Sequence, residues 1–189
     1  TAKRGALKVG RDMATTPGKV VYRSEVFELI QYEPATKEVH ARPYLMVSPQ
    51  INKFYFYDLS EKKSLIRYAV DVGLQTFAIS WRNPGTAQRD WNFDTYVQAT
   101  IEAVDVAREI SGSPDVNIMG ACLGGMTSAL AQAHLAARGE NKIRNGTLMV
   151  TLLDTASEGR MFLFATPQTL AIARKVSERT GVIDGWQMA

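Results

Sequence analysis

The only cysteine of this chain stands in Gly120-Ala121-Cys122-Leu123-Gly124-Gly125. An apolar strand-like run, Val116 to Met119, precedes it, and a long helical pattern, Met126 to Arg138, follows. Strand, tight glycine turn and helix in that order form a nucleophile elbow, with Cys where Ser is more usual. Gly120 and Gly124, with Gly125 beside them, leave room where strand and helix cross closely, because a side chain there would clash. The turn forces residue 122 into a strained backbone conformation that glycine neighbours make tolerable. Its sulfur then sits at a helix N-terminus, where the macrodipole favours negative charge. A random cysteine rarely falls between flanking glycines at such a junction, so the nucleophile reading is favoured over a buried, inert thiol.

Composition narrows the classes around that motif. The 189 residues, 46% hydrophobic and 22% charged, suit one domain with a sizeable core. The net charge of +3 is mild, and Lys37, Arg67 and Arg138 are scattered among acids, so nucleic acid is not an expected partner. A single cysteine excludes an internal disulfide and fits a reducing compartment. No segment approaches the ~20 apolar residues of a membrane span, and Thr1 to Gly5 does not open a signal peptide. No Cys/His cluster has metal spacing and no phosphate-type glycine loop is present, so neither a metal nor a nucleotide cofactor is expected. The start at Thr1 without Met and the end at Ala189 without a finishing element lead to the expectation of a piece of a longer chain.

Periodicity then predicts the elements. Residues 1–18 read as an extended lead-in, and Val20 to Tyr32 alternates over two runs, as a hairpin or two paired strands would. Pro43 to Val47, Thr76 to Ser80, Val116 to Met119 and Thr147 to Leu153 read as strands, the last with Asp154 at its carboxyl end. Asp58 to Val72 has helical spacing in Leu65, Tyr68, Ala69 and Val72, with Gly73 as its stop. Asp94 to Ser111 is a strong amphipathic pattern, with Asn92 or Asp94 as N-cap and Gly112 as stop. Thr166 to Thr180 is a further helix. Strands alternating with helices imply a mainly parallel sheet with right-handed crossovers, whose reactive groups gather at the carboxyl ends of the strands. Cys122, the loop after Val47 and Asp154 all fall there. The fold class is therefore α/β, an α/β-hydrolase-like core with flanking helices over 19–180. It is expected to be truncated before the cap and the last strands, with 181–189 opening the cap.

Several segments together carry a more specific resemblance. They are Thr15 to Val21, Phe27 to Tyr32, His40-Ala41-Arg42-Pro43, Pro49 to Tyr55, Ser80-Trp81-Arg82-Asn83-Pro84, the Gly-x-Cys-x-Gly-Gly box and Leu152-Leu153-Asp154. In this order and spacing the chain resembles the polyhydroxyalkanoate synthases, which polymerise (R)-3-hydroxyacyl-CoA into storage polyester. The resemblance covers nearly everything from Arg11 to Ala189. Gly-Ala-Cys and Gln88 to Trp91 lean toward the medium-chain group and Ala107 to Gly112 toward the short-chain group, leaving the chain-length preference open.

The resemblance implies that Cys122 carries the growing chain as a thioester, while a His deprotonates nucleophiles and an Asp supports it. One oxyanion donor is expected from the N–H of Leu123 and the other from the loop around Ile51-Asn52, where the family pattern points to Asn52. Ile51 and Trp81 are candidate channel residues, although a packing Trp before a turn-forming Asn-Pro explains Trp81 equally well. Tyr55 and Tyr57 read as pocket-lining or simply buried aromatics. The triad runs nucleophile, acid, base along such chains. His40 precedes Cys122, and His134 is a dozen residues beyond it on one helix, about 18 Å away at ~1.5 Å per residue. Neither reaches the sulfur, and Asp154 reads as structural because the family acid is expected downstream. CoA then enters as part of the substrate, not as a cofactor. The resemblance also implies a homodimer at full length, on polyester granules in the cytoplasm, and a piece of this length is expected not to turn over. Two other readings stay open: a Cys-nucleophile esterase or dienelactone-hydrolase-like enzyme, and a non-enzymatic granule protein on a degenerate hydrolase fold.

Overall fold

The computed structural model describes residues 6–154 and 166–182. Six strands form one sheet: β1 (Gly18–Arg23), β2 (Phe27–Tyr32), β3 (Tyr44–Val47), β6 (Thr76–Trp81), β7 (Val116–Ala121) and β8 (Ile143–Met149). Their order across the sheet is β1-β2-β6-β3-β7-β8. β1 and β2 are antiparallel to their neighbours, while β6, β3, β7 and β8 pair in parallel. The expected α/β-hydrolase architecture with a mainly parallel sheet is thus present. A separate two-stranded ribbon, β4 (Asp58–Ser60) with β5 (Lys63–Ser64), precedes helix α1 (Leu65–Asp71).

Strand alternation divides the core into two layers. Leu45, Val47, Phe77, Ile79, Val116 and Ile118 face Ala99, Ala103, Val104 and Ala107 of α2 (Phe93–Ser111). Their neighbours Met46, Ala78, Met119 and Ala121 turn to the other face, against Ile66, Ala69 and Val70 of α1. α3 (Leu123–Ala137) packs on α2 through Ala131 and Leu135 against Val97 and Ile101. Small residues at these helix positions let the helices lie close to the sheet. Asn92 caps α2, accepting from Thr95 N–H at 3.1 Å, and Gly112 ends it in the left-handed region at φ 65°.

Two elements depart from the sequence reading. The helix expected over Asp58 to Val72 begins only at Leu65, because the Ser64 hydroxyl accepts from Arg67 N–H at 2.9 Å and starts it there. Residues 58–64 turn back on themselves as the β4–β5 ribbon instead. The buried stripe of α1 is Ile66, Ala69 and Val70, whereas Tyr68 and Val72 are exposed. The strand expected over Thr147 to Leu153 lies earlier, at Ile143–Met149. Its polar start, Arg144-Asn145-Gly146, hides it from periodicity because nearly the whole strand is exposed. Val150, at φ 41°, ends it. Asp154 consequently stands beyond the strand, not at its end.

In the N-terminal segment, Lys8 to Met13 closes a turn, with Lys8 N–H donating to Asp12 at 2.8 Å. Helix α4 (Pro167–Thr180) is capped by Thr166 and touches the loop after β6, where Thr86 Oγ1 donates to Thr180 O at 3.2 Å. The expected cap opening, Gly181 to Ala189, lies mostly outside the described residues, as does the start of the lead-in.

Candidate active site

Parallel strands put their carboxyl ends on one edge, and the site is built where β3, β6 and β7 end. β7 stops at Ala121 and α3 starts at Leu123, so Cys122 alone makes the turn. Its backbone, φ 53° and ψ −123°, is a conformation that side-chain-bearing residues rarely adopt. The surrounding chain holds it there. Cys122 N–H donates to Met149 O at 3.0 Å, and Cys122 O accepts from Gly125 and Met126 N–H at 3.0 and 3.1 Å. The result is an exposed thiol on a fixed stem.

The crossing beneath it is too close for side chains. A Cβ on Gly124 would run into the Val47 carbonyl oxygen and stand 2.8 Å from that of Ser48. A Cβ on Gly120 would stand 2.6 Å from Ser128 Oγ and collide with the Gly124 carbonyl. At Gly125 it would meet the Thr151 side chain. Strain at one residue therefore follows from the close approach of β7, α3 and the end of β3. Because the Cys122 side chain is exposed, Cys122→Gly is expected to stabilise the fold by about 1 kcal/mol, relief of strain exceeding the backbone entropy that glycine adds. A raised denaturation midpoint checks this; a lowered one contradicts it.

The loop after β3 carries Ile51 and Asn52, both exposed. Side chains from three directions pin it. Trp81 Nε1 donates to Ser48 O at 2.6 Å, Tyr57 Oη donates to Val47 O at 3.1 Å, and Gln50 Nε2 donates to Thr127 Oγ1 at 2.8 Å. Lys53 Nζ donates to Asn83 Oδ1 at 2.7 Å, tying the same loop to the end of β6. Leu123 N–H is the first donor of α3, and donors of a first helical turn have no intrahelical acceptor. Asn52 and Leu123 thus belong to the two segments that the Gly124 contact presses together.

Trp81 is 8% exposed and lies edge-on to both Phe27 and Tyr96. It is a wall of the core that holds Ser48. Tyr57 is buried under the elbow. Burial raises its phenol above the ordinary value, while a hydrogen bond from the Ala121 backbone pulls the other way. Sequence reasoning missed Gln50 and Thr127. Gln50 stands within the quoted Pro49 to Tyr55 segment, but nothing in its spacing announces a partner 77 residues away.

The two histidines are elsewhere. His40 N–H is bonded to Gly73 O at the amino end of β3, the far end of the sheet, about 20 Å from the elbow at ~3.3 Å per residue. His134 is exposed near the far end of α3. Asp154 is exposed. Among the described residues, no group of three His, Cys, Asp or Glu is placed to hold a metal ion, and no helix is long and apolar enough to cross a membrane.

Residues 52–181 match the alpha/beta hydrolase fold family, and residues 1–69 match the family described as Poly-beta-hydroxybutyrate polymerase (PhaC) N-terminus. Over 184 residues the chain is 52% identical to Poly(3-hydroxyalkanoate) polymerase 1 of Ectopseudomonas oleovorans, covering 97% of this chain and 33% of that protein. The chain belongs to the alpha/beta hydrolase fold family and is similar along nearly its whole length to poly(3-hydroxyalkanoate) polymerases. It is also 47% identical over 160 residues to the Poly(3-hydroxyalkanoate) polymerase subunit PhaC of Cupriavidus necator, covering 84% of this chain and 27% of that one. The chain spans about a third of the length of the curated polymerases it matches. Among solved structures, the hormone-sensitive-lipase homologue EstE7 from a metagenome library superposes with a TM-score of 0.58 at 15% identity, over 83% of this chain and 54% of that one. That likeness is one of fold.

Proposed function

We propose that this chain is the nucleophile-bearing part of a polymerase that joins (R)-3-hydroxyacyl units from CoA thioesters into polyester. The observation that carries the reading is an exposed cysteine at a strained strand-to-helix turn, in a chain 52% identical to a named polymerase. In the proposed reaction Cys122 Sγ attacks the acyl carbonyl and the carbon–sulfur bond to CoA breaks. The thiol proton passes through a base to the departing CoA thiolate, leaving an acyl thioester on Cys122 and free CoA. The hydroxyl of a further unit then attacks a thioester carbonyl, giving an ester and releasing a thiol. Leu123 N–H and Asn52 stabilise the oxyanion of each tetrahedral intermediate. Ile51, exposed beside Asn52, lines the acyl approach, and Trp81 acts by holding the loop.

The base and its supporting acid are proposed to come from a His and an Asp beyond these 189 residues, since neither His40 nor His134 stands at the elbow. Taken alone, the chain is proposed not to turn over. CoA enters as substrate, and no resident cofactor is invoked. The assembled enzyme is proposed to be a cytoplasmic homodimer working at the surface of its own polyester granules.

The test uses the natural protein at the length of its relatives, offered (R)-3-hydroxyacyl-CoA of short and medium chain. CoA release accompanied by polymer is the expected result, and the preferred length identifies the monomer class. CoA release without polymer would replace the polymerase by a thioester hydrolase. No reaction with any acyl-CoA would favour a non-enzymatic granule protein.

A further inference from the structure

We infer that Gln50 and Thr127 are positioning residues that lock the two oxyanion donors to each other. The inference rests on the proposed polymerase chemistry, because it concerns how the site of that reaction is held. The two donors come from different segments: Asn52 from the loop after β3, Leu123 N–H from the start of α3. An oxyanion hole works only if both donors keep a fixed spacing, since a misplacement of ~1 Å can cost on the order of 100-fold in rate.

One side-chain bridge spans the two segments near the donors. Gln50 Nε2 donates to Thr127 Oγ1 at 2.8 Å, and the same hydroxyl donates to Leu123 O at 2.9 Å. Gln50 lies two residues before Asn52. Thr127 lies one helical turn after Leu123 and is fully buried. The relay Gln50, Thr127, Leu123 therefore ties the residue carrying one donor to the loop carrying the other. The Thr127 hydroxyl is used in both directions, its proton going to Leu123 O and one of its two lone pairs accepting from Gln50. Gln50 Oε1 is buried with no partner among the described residues, so the amide is held by the Thr127 bond alone. The close contact of Gly124 with the Val47 and Ser48 carbonyls sets how near the segments lie, and the bridge sets their register.

The test is a mutant cycle in the natural full-length protein: Gln50→Met, Thr127→Val, the pair together, and Thr127→Ser. CoA release from (R)-3-hydroxyacyl-CoA is read alongside the rate at which iodoacetamide alkylates the Cys122 peptide, a reaction that forms no oxyanion. The inference expects each single variant to lower kcat between tenfold and 100-fold with little change in KM. The double variant is expected to be no worse than the poorer single, Thr127→Ser to restore most of the rate, and alkylation to stay at the parent rate. Singles that match the parent, or a double variant whose losses multiply, would overturn the inference and leave the polymerase reading standing. Alkylation that falls in step with kcat would also overturn it, by moving the effect to the thiol or the fold. A parent protein without Cys122-dependent CoA release would overturn the polymerase reading itself, and this inference with it.

Discussion

Gly124→Ala is expected to cost the fold about 3 kcal/mol or more, and to leave little native protein at physiological temperature. Overpacking a tight core typically costs about 1–3 kcal/mol when neighbouring side chains can yield. Here the added methyl meets the backbone of Val47 and Ser48, at the end of β3 in the middle of the sheet. Moving that backbone would disturb the Trp81 and Tyr57 bonds to the same two carbonyls. Against a total stability of roughly 5–15 kcal/mol for a typical domain, such a loss is large. Denaturation midpoints check it, with Gly85→Ala as the control. A Cβ at Gly85 meets only the Gln88 side chain, at an ordinary 3.6 Å, and should shift stability by no more than about 0.5 kcal/mol. A Gly124→Ala protein as stable as its parent would mean that strand end and helix do not cross as closely as described.

The second large effect is kinetic. In the natural full-length protein, Cys122→Ala is expected to reduce CoA release at least about 10⁴-fold, because removing the proposed nucleophile leaves only the contributions of binding and the proposed oxyanion donors. Stability should stay near that of the parent, since the thiol is exposed and alanine inherits the same positive φ. The contrast with Cys122→Gly is informative: both remove the sulfur, and only glycine relieves the backbone. A variant that lost activity and stability together would instead make Cys122 a packing residue.

The parts of the fold that were legible in the sequence share one property: their residues are sorted by burial. β3, β6 and β7 are covered on both faces and read as short apolar runs, and α2 buries one stripe between a clear cap and a clear glycine stop. The elbow was legible because close backbone approach leaves glycine as its signature. β8 was displaced because it is an exposed, polar strand held by pairing with β7, and pairing leaves no periodicity. The ribbon at 58–64 was lost for a related reason. Asp58 is fully buried by long-range bonds, its carboxylate accepting from Thr16 N–H at 3.0 Å, while Leu59 beside it is exposed. Hydropathy assigns those two residues the opposite way. The site divides along the same line. Cys122 and its glycines declare themselves locally, whereas Gln50 with Thr127 and Trp81 with Ser48 are partnerships across the sheet that only the fold brings together.

The central claim is that Cys122 carries the acyl chain, and the most direct measurement is the mass of the peptide that contains it. The natural full-length protein is mixed with (R)-3-hydroxyacyl-CoA, quenched in acid within the first turnovers and digested. The expected result is a Cys122 peptide heavier by one or more hydroxyacyl units, with the adduct lost on treatment with neutral hydroxylamine, as a thioester is, and absent from Cys122→Ala. An unmodified Cys122 peptide in protein that is releasing CoA and making polymer would contradict the claim and place the acyl chain on another residue.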